Sequence, residues 1–116
     1  MKIRKGFVTN SSSSSFVLAI KSGDINDIKN ELLRNIPLAE IEKFVSNPWV
    51  EADGVDELLN DVAMHIKKVC MNYGITIGDY MVCSAVYDGE AGDTSAFIYE
   101  YCTSIESEKL KISTGY

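Results

Sequence analysis

DYMVCSAVYDGEAGDTSAFIYEYC, residues 79–102, is the stretch on which the fold turns. Its two ends, DYMVCSAVY (79–87) and SAFIYEYC (95–102), are rich in β-branched and aromatic residues, which suit a pleated, packed surface. DGEAGDT between them is turn chemistry, so the stretch predicts a β-hairpin. Downstream, KLKIST alternates, with Leu110 and Ile112 on one side and Lys109 and Lys111 on the other. That pattern fits an edge strand whose lysines discourage stray pairing. Upstream, FVLAI (16–20) is short, apolar on both sides and closed by Ser22-Gly23, as in a strand covered on both faces.

Between the first strand and the predicted hairpin the apolar period changes from two to 3.6. Asp24 can cap INDIKNELLRNI, in which Ile25, Ile28, Leu32 and Ile36 share a face before Pro37 stops the run. LAEIEKFV repeats the pattern through Leu38, Ile41, Phe44 and Val45, up to Asn47-Pro48. A third helix, capped by Asp53, runs from Val55 to Tyr73, about 28 Å. Its apolar stripe is Val55, Leu58, Leu59, Val62, Ile66, Val69, Cys70 and Tyr73, and Gly74 is placed to stop it in a left-handed turn. The order β-α-α-α-β-β-β predicts one α+β domain over residues 1–116, with a mainly antiparallel sheet of about four strands.

A chain of 116 residues buries roughly two-thirds of its unfolded surface and can fold without metals or disulfides. Three cysteines with no CxxC pairing read as buried, reduced thiols of a cytoplasmic protein. The longest apolar runs are too short to span a bilayer. Lys2, Arg4 and Lys5 give residues 1–15 a charge of +3, so the rest of the chain carries −9 of the net −6. An acidic body argues against nucleic acid as a partner, because phosphate binding rests on Lys and Arg.

The first fifteen residues form a separate, Ser-rich arm. Its opening, KIRKGFVTNSSSSSFV, resembles an N-terminal signature of small uncharacterised proteins of bacteria and their phages. The likeness is carried by Lys2, Arg4, Gly6, Phe7, Val8, Asn10, Ser11 to Ser15 and Phe16. The resemblance implies a bacterial or phage origin and no particular activity. Read from the residues, the arm is a packing segment anchored by Phe7 and Val8. Its chemical alternative is an anion or phosphate cradle made by Arg4, Lys5, Ser11, Ser12, Ser13, Ser14 and Ser15.

No catalytic constellation stands out. His65, the single histidine, reads as a solvated side chain pairing with Asp61 one turn earlier. Asp88, Glu90 and Asp93 miss the EF-hand spacing, so no metal or other cofactor is expected. Phe97, Tyr99 and Tyr101 read as core packing on one strand face. The sheet carries more apolar surface than three helices obviously cover. That surplus predicts a non-enzymatic interaction module, for a protein partner or for a second copy, a phage-encoded inhibitor of a host system being one version. The expected contact residues are Trp49, Met81, Ala85 and Ile98. The second reading is an anion- or nucleotide-binding module built on the arm.

Overall fold

The computed structural model describes residues 15–21, 23–86 and 93–114. The architecture is α+β, with a four-stranded antiparallel sheet. The strands are β1 (Ser15–Ile20), β2 (Ile75–Ile77), β3 (Tyr80–Val86) and β4 (Leu110–Thr114), in the spatial order β2-β3-β1-β4. The helices are α1 (Ile25–Asn35), α2 (Leu38–Val45), α3 (Val55–Tyr73) and α4 (Asp93–Phe97), and α4 runs straight into a π-helical segment, Ile98–Cys102.

The first strand is central. Leu18 lies between Cys83 of β3 and Ile112 of β4, and Ile20 between Met81 and Leu110. Because opposed residues share a face, the inner face carries Phe16, Leu18, Ile20, Met81, Cys83, Leu110 and Ile112. All but Met81 are buried, and Met81 packs against the core from its margin. α3 lies across β1 and β3 on this face and buries Leu58, Leu59, Val62, Ala63, Ile66 and Cys70. α1 packs on α3 through Ile28 and Leu32, with Lys29 Nζ reaching Asp56 Oδ1 at 3.1 Å.

The first three helices fall where their periodicity puts them. Asp24 caps α1 as expected, its Oδ1 accepting from the Asn26 N–H at 2.8 Å. Two expected signals for α3 differ. Gly54, not Asp53, occupies the N-cap, with no side-chain cap hydrogen bond. Gly74 is extended (φ −83°), not left-handed, and a Cβ there would collide with the Cys70 carbonyl and crowd that of Val82 at 3.1 Å. The glycine is therefore required by a close approach of α3's last turn to β3.

The largest correction concerns residues 95–102, expected as the second strand of a hairpin and observed as helix. The aromatic spacing explains why. Phe97 and Tyr101 are four apart, and their rings meet at 5.3 Å, which a helix allows and a strand does not. Phe97 and Tyr101 also pack edge-on against Phe44 of α2 at 5.1 and 5.7 Å. Burial of Ser95, Ala96, Phe97, Ile98 and Cys102 inside this cluster outweighs the β propensity of the segment. The hairpin partner of β3 is β2 instead. Ile77 and Tyr80 close a two-residue loop, Gly78-Asp79, with Gly78 at φ +61° as the primed hairpin turns demand.

Candidate interaction surface

The outer face of the sheet follows from the same register. Ile75 opposes Val82 and Ile77 opposes Tyr80; Val82 opposes Ala19, which opposes Lys111; Val17 opposes Ser84 and Ser113. One end of this face is covered from within the sheet. The Tyr80 hydroxyl donates to the Glu108 carbonyl at 2.6 Å, and Lys111 Nζ stands 5.6 Å from the centre of the Tyr80 ring. The Tyr80 side chain thus reaches across β1 towards β4. Lys21 and Glu108 form an exposed ion pair at 3.1 Å beside it, which holds the Glu108 carboxyl below its ordinary value.

At the other end the face is apolar and open. Ile75 is 64% exposed and Ile77 55%, and Tyr73, just before them, is 78% exposed. Tyr73 was expected in the α3 core stripe; the last turn of α3 instead carries it past the end of the packed face. No charged residue stands between Lys68 and Asp79, so Tyr73, Ile75 and Ile77 lie in an uncharged stretch of ten residues.

The two edges of the sheet differ. Beyond β4, the Ser107 N–H donates to the Leu110 carbonyl at 3.0 Å and the Ile112 N–H to the Ile105 carbonyl at 2.9 Å, with a bridge between Glu106 and Lys111. Residues 105–107 therefore cover that edge. Among the described residues no strand or bridge covers the outer edge of β2.

The sequence-predicted contact residues are dispersed. Ile98 is completely buried in the π-helical segment and is off the surface. Met81 points to the inner face, and Ala85 pairs with Phe16 in the ladder. Trp49 is 56% exposed, with its ring edge-on to Phe44 at 5.3 Å, so it plugs the aromatic cluster with one side and faces solvent with the other. Arg4, Lys5 and Ser11 to Ser14 lie outside the described residues, as do Phe7, Val8, Asp88 and Glu90; Ser15 opens β1. Asp93 accepts from the Glu51 N–H at 3.0 Å and so ties α4 to the loop before α3. β2 itself was missed, although ITI followed by Gly-Asp carries the β-branched residues and the turn of a hairpin.

Burial governs the described thiols and the histidine. Burial pushes the Cys70 thiol up to about 12, with nearby Cys83 adding to the shift, and burial raises Cys83 and Cys102 as well. His65 is half-buried, not solvated, and burial together with Lys68 lowers its pKa. Among the described residues no group of three or more His, Cys, Asp or Glu side chains could hold a metal, and no helix is long and apolar enough to cross a membrane. No family model matches the chain, and searches of curated proteins and of solved structures returned no match.

Proposed function

We propose that this chain is a non-enzymatic, cytoplasmic interaction module, of bacterial or phage origin, that binds protein through the β2 end of its sheet. The observation that carries the reading is the run Tyr73, Ile75, Ile77, each of them exposed, with no charge among them. Apolar surface of this kind beside an open strand edge is costly to leave in water and is the usual footing for a partner. The thiols add support from the negative side. A nucleophilic cysteine works as thiolate, and burial holds these three protonated.

The test is affinity capture from bacterial lysate with the wild-type chain and with an Ile75→Lys/Ile77→Lys variant, compared by quantitative mass spectrometry. The reading expects at least one protein, this chain included, to fall tenfold or more with the variant. Identical capture by both proteins would overturn it.

A further inference from the structure

We infer that the partner at the β2 edge is a second copy of this chain, paired antiparallel through β2 about a two-fold axis at Thr76. The inference rests on the reading above and deepens it by naming the occupant.

The register makes the edge self-complementary. A two-residue hairpin loop places Ile77 and Tyr80 in a hydrogen-bonded pair, so the ladder next bonds Ile75 with Val82. By alternation the N–H and C=O of Thr76 point away from β3, outward from the sheet. Two copies related by a two-fold at Thr76 would exchange both of these bonds, Thr76 with Thr76. Ile75 of each copy then opposes Ile77 of the other, at the close, non-hydrogen-bonded position where side chains pack best. Both isoleucines lie on the outer face, so the pairing forms a four-isoleucine cluster from surface that is 64% and 55% exposed in the single chain. Tyr73, 78% exposed, lies two residues from Ile75 in the same uncharged stretch. The product is an eight-stranded sheet with β4 at both ends, the edge that residues 105–107 already cover.

Charge limits where two copies can meet. Each copy carries −6, so two copies repel at long range. Contact is tolerated only where charge is absent, and Val69 to Gly78 is such a stretch. The β4 edge, by contrast, is flanked by Lys109 and Lys111 and covered, as an edge kept from pairing should be. A pairing of three-residue strands is small beside ordinary stable interfaces, so the association is concentration-dependent.

Sedimentation equilibrium from roughly 1 µM to 1 mM, a span that brackets weak dimers, tests it. The wild-type mass should rise from 12.8 kDa towards twice that value, and the rise should steepen with added NaCl as repulsion is screened. Thr76→Pro removes an outward N–H without touching the β3 ladder, and Ile77→Lys puts charge at the centre of the cluster. Both should stay at the monomer mass while keeping the wild-type circular dichroism; if Thr76→Pro does not fold, Ile77→Lys decides alone. Hydrogen exchange should slow at the Thr76 amide, tenfold or more, between dilute and concentrated samples. A dimer that survives Ile77→Lys, that weakens with salt, or that leaves Thr76 exchange unchanged would overturn the edge pairing. A wild-type monomer throughout would overturn it too. In that case a lysate protein lost with Ile75→Lys/Ile77→Lys leaves the broader reading standing, and its absence removes both.

Discussion

Glu31 is the buried acid among the described residues, 5% exposed in α1 between Ile28 and Leu32. Its Oε1 has no hydrogen-bond partner among the described residues, and its Oε2 lies 3.8 Å from Arg34 Nη1. A buried polar atom without a partner costs roughly 1–3 kcal/mol. Glu31→Met keeps the volume and removes the orphan, so denaturant unfolding should show about 1 kcal/mol of added stability; a loss of stability would mean that the carboxylate is satisfied in solution. Glu31 was not legible in advance, because a glutamate in INDIKNELLRNI reads as the solvated side of an amphipathic helix. Asp24 was legible, because an N-cap acts on its own neighbours and needs no tertiary partner. Trp49 was legible as a contact residue but not as a packing one, because its partner Phe44 lies in another element.

At the level of elements, α1, α2 and α3 could be read from spacing, since each presents an apolar stripe long enough to average out exceptions. Residues 95–102 could not, because β-branched and aromatic residues serve a strand and a buried helix equally. The discriminating detail was Phe97 four before Tyr101, with Phe44 in another helix to receive both rings. The open β2 edge escaped notice for the opposite reason: three residues carry too little pattern, and only Gly78-Asp79 marks the turn. The junction of α3 and β2 yields a sharp expectation. Gly74→Ala drives a methyl into the Cys70 carbonyl, so either the last helical turn frays or β2 shifts from β3. Thermal or denaturant unfolding should register a loss of about 1–3 kcal/mol, typical of overpacking. An unchanged midpoint would show that the α3 terminus yields without penalty.

Taken whole, the molecule should be most stable near neutral to mildly alkaline pH. His65 has a folded pKa below its ordinary 6.5, so the unfolded chain takes up the proton first and stability falls as pH drops through that range. The exposed Lys21–Glu108 pair acts in the same direction at lower pH, and solvent screens its effect. At the alkaline end Cys70 is raised to about 12 from an ordinary 9.0, so the unfolded chain ionises first and stability declines as pH climbs from about 9 towards 12. Chemical unfolding at pH 5, 7.5 and 10 should give the highest midpoint at 7.5, and Cys70→Ala should flatten the alkaline side. Equal midpoints at all three pH values would contradict these environments. The α+β class and the four-stranded antiparallel sheet were legible at this scale because strand-like and helix-like periods segregate along the chain. The order of strands and the identity of the exposed apolar end were not, since both depend on which segments meet.

The central seat of β1 has a consequence in time. Leu18 pairs with Cys83, 65 positions downstream, and with Ile112, 94 positions downstream. At roughly 5–20 residues per second of synthesis, the middle of the sheet waits about 5–20 s for its last neighbour. Until β3 is made this strand has no ladder on either side, and until β4 is made it has one on a single side, so the helices made in the interval must shelter it. Birth on the ribosome, and not the finished molecule, is therefore where this protein is most exposed to misassembly and most in need of a chaperone.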